Sequence, residues 1–267
     1  MHLTAWVVIA AIGLVAGVGG GLLGIGGSII MIPGLTLAFG YDQHLYQAAA
    51  MIANVAVSVP AALRHHRAGA MHGPTLRWMA PAAVVCVLIG VWLSNQFTGE
   101  AASLWLSRLL AVFLAYVILV NLRRLRFGRP ETQAAADGLH RPRLRRGAVG
   151  SVMGLIAGLL GIGGGAVAVP LQQVVLKLPL RSAIANSSAI ICLSAAIGAV
   201  YKNATLGQHS TRPGEGLILA AILVPTAWLG GSLGASLLHR LPMGYVRVAF
   251  LVLLVVAAWK MAALPWP

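Results

Sequence analysis

Two clusters of glycine carry the chemistry this sequence can offer. Gly24, Gly26 and Gly27 follow one apolar run, and Gly161, Gly163, Gly164 and Gly165 follow another. Each glycine costs a helix interior roughly 0.5–1 kcal/mol, so clusters this dense predict breaks in the helix. At membrane depth a break leaves backbone groups unpaired, so it must line protein or a water-filled cavity. A helix restarting after the break aims free N–H groups and its positive dipole end at that cavity. Two such ends meeting near the midplane would hold an anion without any charged side chain.

Two other readings compete. Gly13, Gly17 and Gly21, and likewise Gly150, Gly154 and Gly158, are spaced by four and would let helices approach closely in lipid. Packing accounts for these upstream glycines but not for the dense clusters. Gly19-x-Gly21-x-x-Gly24, with Asp42 beyond it, matches a dinucleotide-binding pattern. That pattern counts only between a strand and a helix of a βαβ unit, and here it sits inside an apolar segment.

Composition sets the surroundings. The 267 residues are 59% hydrophobic and 9% charged, against about 25% charged in a soluble domain. That gap argues against a soluble enzyme. The +14 formal charge does not signal nucleic acid, because a nucleic-acid binder keeps a polar surface. The class is an all-α polytopic membrane protein with its cations biased to one side. At about 20 residues per span, the length allows at most about ten spans. The apolar N-terminus lacks a basic leader region and reads as an uncleaved first span. Cys86 and Cys192 stand singly in apolar runs and read as core thiols.

The chain repeats itself. Residues 13–33 and 150–170, offset by 137, are identical at eleven of 21 positions, sharing GLLGIGG, five residues, then proline. Weaker similarity puts Ala53-Asn54 near Ser187-Ser188 at an offset near 134, and Arg108 near Arg247 at about 139. The expected organisation is repeat one at 1–122, a linker at 123–146 and repeat two at 147–267. The linker carries eight of the nineteen Lys and Arg, which places it in the cytoplasm.

Each half divides into five apolar segments: about 3–20, 22–39, 44–63, 78–97 and 103–122, then 147–162, 164–178, 182–201, 216–237 and 245–263. If every segment crosses, 15 of the 19 cations fall inside, leaving Arg108, Lys202, Arg212 and Lys260 toward the outside. An odd number of crossings inverts one half relative to the other. Inverted repeats with paired Gly-interrupted segments are the signature of secondary transporters. Seven or eight full spans with re-entrant first segments is the alternative.

Two G-x-G-G segments, each closed by proline and followed by a small-polar helix, resemble the TauE/SafE family of sulfite exporters. The resemblance covers essentially the whole chain. It implies a transporter of small anions in the bacterial inner membrane, with sulfite, thiosulfate or organosulfonates as the substrate class. The residues matching the family motif are Gly24, Gly26, Gly27 and Pro33, and Gly161, Gly163, Gly164 and Pro170, with both prolines as structural helix breaks. Asn186-Ser187-Ser188 resembles the family's small-hydroxyl motif, whereas the first half has Ala53-Asn54 there.

Polar residues in apolar spans need partners. Asn54 and Ser58 share one helix face. Asn186, Ser187, Ser188 and Ser194 mark the corresponding segment, and Gln172 and Gln173 follow Pro170. With Ser28 and Gly165, these join the glycines as candidate substrate-binding residues; helix-to-helix hydrogen bonding is the competing role. Asp42, Glu100, Glu131, Asp137 and Glu215 all fall in loops or at segment ends. That disfavours a metal-cation carrier or a carboxylate relay and suits an anion. No catalytic, metal or cofactor site is expected. All eight histidines fall in or near loops, the densest group being Arg64-His65-His66-Arg67. Lys202 either snorkels or faces the cavity.

The expected partners are a small anion, the lipid bilayer and, as a candidate coupling ion, the proton. The functions in contention are anion export, anion import or a channel, and a membrane assembly or sensor subunit that uses the basic linker for a protein or anionic lipid. Neutralising part of residues 123–146 separates them. The transporter reading expects flux to survive with insertion intact; loss of a specific partner instead would support the assembly subunit.

Overall fold

The computed structural model describes residues 3–40, 42–97, 100–127, 143–209 and 214–237, together with 251–252, 255 and 258–259. Among them the regular structure is helical throughout. In chain order the helices are α1 (Leu3–Leu23), α2 (Ser28–Phe39), α3 (Gln43–Arg67), α4 (Gly73–Asn95), α5 (Glu100–Phe127), α6 (Arg143–Leu160), α7 (Gly165–Val175), α8 (Leu180–Ala204) and α9 (Glu215–Leu237). Local signals fix several starts. Asp42 caps α3 by accepting the Leu45 N–H at 3.0 Å. Pro74 enters α4 at its first turn, where its missing N–H costs nothing. The helices α5 and α6 extend into both ends of the predicted linker. Its middle, and most of the tenth segment at 245–263, lie outside the described residues.

Five helices, α1, α3, α4, α8 and α9, are long and apolar enough to cross a bilayer. The expectation that every segment crosses does not hold. At 12 and 11 residues, α2 and α7 reach about 18 and 16 Å, short of the ~30 Å hydrocarbon core. Instead α2 doubles back along α1, with Gly34 against Ile12, Gly27 against Ala16 and Gly20 against Gly26. In the same way, Gly164 sits against Met153 and Ala157 of α6.

The centre is an antiparallel pair, α3 and α8. Lys202 sits beside His44, Asn203 beside Ala48 and Gly198 beside Met51. These two are the most enclosed of the five long helices, with 72% and 67% of their apolar windows buried, against 39% or less for the others. Around them α1 packs on α9 and α6 packs on α4. Both outer contacts use glycine spaced by four. Gly13, Gly17 and Gly21 meet the backbone at Leu223, Ala227 and Gly231, while Gly150, Gly154 and Gly158 meet it at Met79, Ala83 and Val87. The first glycine set maps onto the second at 137 and the partner set at 144. Each contact therefore joins one half of the sequence to the other. The outside is apolar, with Trp92, Trp105, Val112, Val200 and Trp228 all at least half exposed, as a lipid-facing surface requires.

The packing role of the spaced glycines predicts a contrast on one helix. A side-chain carbon at Gly154 would collide with the Ala83 carbonyl, whereas one at Gly147 meets nothing within 4 Å. Gly154→Leu should collapse the yield of monodisperse protein in detergent and lower Tm, while Gly147→Ala should be neutral or stabilising by up to about 1 kcal/mol. Equal behaviour of the two variants would contradict the packing.

Candidate functional site

The two glycine clusters are the chain reversals between α1 and α2 and between α6 and α7. Gly24, Gly26, Gly161, Gly163 and Gly164 all have φ between +63° and +82°, the left-handed region that costs other residues about 1 kcal/mol or more. Gly27 is right-handed, with φ −78°, whereas its counterpart Gly164 is left-handed, so the two reversals differ by one residue. Residues 24–33 and 161–169 are buried. Helix α2 restarts at Ser28 and α7 at Gly165, neither capped by the residue before it. The reversals touch each other, since a side-chain carbon at Gly165 would lie 2.5 Å from Ile25 Cα.

Asn54 sits between them. It is the twelfth of the 25 residues of α3, so it lies halfway along a spanning helix. Its Oδ1 accepts the Ser28 N–H at 3.1 Å, and the Ser28 hydroxyl donates to the Ala50 carbonyl at 3.0 Å. The amide occupies the space a side chain would need on both sides. A carbon at Gly26 would lie 3.0 Å from Asn54 Oδ1, and one at Gly163 would lie 2.6 Å from Asn54 Nδ2. Fully buried, Nδ2 has no hydrogen-bond partner. It faces the approach to α7, where the Val167 N–H already pairs with the Gly164 carbonyl at 3.2 Å but the N–H groups of Gly165 and Ala166 have no partner within the helix. Donors therefore meet donors with no acceptor between them, and a buried donor without an acceptor is costly.

The contacts also set the register between the halves. Gly24 lies against Ile184 and Gly161 against Gln47, an offset of 137 for both partners. In that register the counterpart of Asn54 is Ile191, which touches Gly163 and Gly165. One reversal thus has a polar wedge and the other an apolar one. The sequence offset near 134, which set Ala53-Asn54 against Ser187-Ser188, is not the geometric one.

The remaining candidates divide. Ser58 donates to the Asn54 carbonyl and Ser188 to the Ile184 carbonyl, so both bond back to their own helices. Gln172 Nε2 donates to the Ala183 carbonyl, and Asn186 Oδ1 accepts the His72 N–H at 2.8 Å. Their other polar atoms, Gln172 Oε1 and Asn186 Nδ2, are buried without a partner, as is Ser187 Oγ. This second group ties α7, α8 and the α3–α4 loop together. In that loop, burial and the Arg146 charge hold the His72 imidazole below its ordinary pKa. Pro33 and Pro170 do not form the breaks. Each is the sixth residue of its short helix, where it removes one backbone bond without ending the helix.

Sequence reasoning missed a buried polar chain. His44, expected in or near a loop, is the second residue of α3 and is 3% exposed. His65 is likewise helical and buried. Lys202 is fully buried, which rules out snorkelling. Its ammonium meets His44, Ser94 and Asn95, and Ser94 passes a bond on to Gln47. The one available signal was a lysine in the last turn of an apolar helix.

The model of the family described as sulfite exporter TauE/SafE matches residues 9–261. The probable membrane transporter protein MamO of Paramagnetospirillum magneticum is 29% identical over 277 residues, covering 93% of this chain and 43% of that protein. The MamO of Magnetospirillum gryphiswaldense is 29% identical over 274 residues, with the same coverage. The chain thus spans less than half the length of these two relatives. The probable membrane transporter protein YunE of Bacillus subtilis is 24% identical over 261 residues, 89% of this chain and 90% of that protein. No solved structure matches. With the family match running over nearly the whole length of a chain whose described residues are helical and include five helices long and apolar enough to cross a membrane, the chain belongs to the sulfite exporter TauE/SafE family.

Proposed function

We propose that the chain exports a small anion of the sulfite, thiosulfate or organosulfonate class across the bacterial inner membrane. The anion binds where the two glycine reversals meet Asn54. The observation that carries this reading is the unpartnered Nδ2 of Asn54, buried against the start of α7. Backbone N–H groups, a helix dipole and an amide donor converge on a place that lacks an acceptor, and a small oxyanion supplies several. No described acidic residue lies mid-span: Asp42 caps α3, Glu100 begins α5 and Glu215 begins α9. An anion therefore meets no like charge. The family description names sulfite, which supports the substrate class.

Transport follows from the two halves. Repeat one (1–122) and repeat two (147–267), joined by a cytoplasmic linker, are inverted copies; the antiparallel run of α3 and α8 supports this. The matched contacts α1–α9 and α4–α6 tie each half to the other, so one half can rock against the other around the shared centre. The second group, Gln172, Asn186 and Ser187, provides buried polar atoms toward the α7–α8 turn and the inner mouth.

Asn54→Asp separates anion binding from packing. It preserves shape and leaves an oxygen for the Ser28 N–H beside a helix start, where negative charge is tolerated. It also puts a carboxylate in the anion's place. The variant should keep its gel-filtration profile and Tm while labelled sulfite flux in proteoliposomes falls by at least about tenfold, equivalent to about 1.4 kcal/mol. Gly163→Val, blocked by Asn54 Nδ2 and strained by its φ of +72°, should lose flux as well. Wild-type flux in a folded Asn54→Asp variant would remove the anion from this site.

A further inference from the structure

At the far end of the central helix pair lies a buried cation whose partners are all neutral. Lys202 Nζ is 2.7 Å from His44 Nδ1, 3.0 Å from Ser94 Oγ and 2.8 Å from Asn95 Oδ1. Three acceptors match the three N–H groups of an ammonium. The hydrogen-bond directions are mutually consistent. His44 Nε2 lies 2.7 Å from the Phe97 carbonyl, so it carries the ring proton and leaves Nδ1 as a lone pair for Lys202. Ser94 accepts from Lys202 and donates to Gln47 Oε1 at 3.0 Å, and Asn95 donates to Thr205 Oγ1 at 2.8 Å. The side chains that Lys202 meets are all neutral. Of the described acidic residues, Asp42 caps α3 through the Leu45 N–H, Glu100 opens α5 and Glu215 opens α9. From α4 the ammonium meets only neutral groups, and the turn after α8 adds Thr205.

The chain of bonds leads back to the reversals. Gln47 Nε2 donates to the Leu159 carbonyl at 3.3 Å, two residues before Gly161. The Gln47 stem fills the space that a side chain at Gly161 would need, at 2.6 Å for Cγ. Lys202, Ser94, Gln47 and the second reversal thus form one continuous line. The residue 137 positions before Lys202 is His65, 1% exposed, in the last turn of α3. The antiparallel pair therefore buries one basic side chain near each end.

We propose that Lys202 and His44 are a proton-carrying pair that couples proton movement to anion transport. The inference rests on the reading of the glycine reversals as an anion site. One N–H bond of the pair breaks and its proton passes to water by way of His44 at the α4–α5 end. The pair goes from +1 to neutral, and uptake reverses the step. Charged, the pair favours an anion at the reversals; neutral, it releases it. By linkage, the anion in turn favours proton uptake by the same factor.

The test uses the full chain in proteoliposomes with labelled sulfite. Thiosulfate and sulfoacetate run beside it because their charge does not change near neutral pH. Two readouts are compared: counterflow at equal pH, and accumulation driven by an imposed pH gradient. Wild type should show both. With anion saturating on both sides, Lys202→Met and His44→Gln should keep counterflow within about threefold and lose the driven accumulation. Lys202→Arg, which cannot give up its proton, should also lose it. Anion affinity separates the lysine variants: Lys202→Arg should bind as tightly as wild type or more so, and Lys202→Met about tenfold or more weakly. In weakly buffered solution wild type should take up protons on thiosulfate addition, and the lysine variants should not. If Lys202→Met does not fold, Lys202→Arg and His44→Gln carry the test. Driven accumulation surviving in folded variants at both positions overturns the inference alone. No counterflow of any of the three anions in wild type overturns the anion reading and this inference with it.

Discussion

One amide holds the centre of this protein together. Asn54 Oδ1 accepts the first N–H of α2, and its Nδ2 lies against Gly163, two residues before α7. A single side chain thereby touches both chain reversals at the middle of a spanning helix. In lipid an unpaired backbone group costs several kcal/mol, so a reversal at this depth survives only if something satisfies it. Asn54 does so for one reversal. The other is left with donors around it, and the transport reading grows from that imbalance.

The rest of the architecture serves to bring the two reversals to one place. Glycine at every fourth position lets α1 approach α9 and α6 approach α4 until backbone meets backbone. Close approach of this kind replaces the hydrophobic driving force that lipid does not supply. Because each contact joins one half of the sequence to the other, neither half forms its site alone. Gly165 rests on Ile25, so movement of one half against the other changes the contact between the reversals directly.

The sequence made the local requirements legible and left the tertiary ones hidden. The reversals could be read because a left-handed backbone at Gly24, Gly26, Gly161 and Gly163 demands glycine whatever surrounds it. The interlocking stripes could be read from their spacing of four. Pro33 and Pro170 misled, because a proline after a glycine cluster suggests a break, yet a short buried helix tolerates one lost backbone bond when its neighbours enclose it. Asn54 was found, but its counterpart was misplaced by three residues: similarity of small polar types drew Ser187-Ser188 into alignment, whereas contact geometry selects Ile191. The Lys202 chain was hidden for a different reason. His44, Ser94 and Lys202 are brought together only by the antiparallel pairing of α3 with α8 and the docking of α4, and no spacing in the sequence encodes that pairing.

The anion's place in the fold can be measured without reference to mechanism. An experimental structure with selenite or selenate bound, read by the anomalous scattering of selenium, places the anion without reference to flux. An anion held by the reversals gives a peak between the first turn of α7 and Asn54, within hydrogen-bond distance of Nδ2. A peak elsewhere, with the Asn54 amide paired to a protein acceptor, would contradict it.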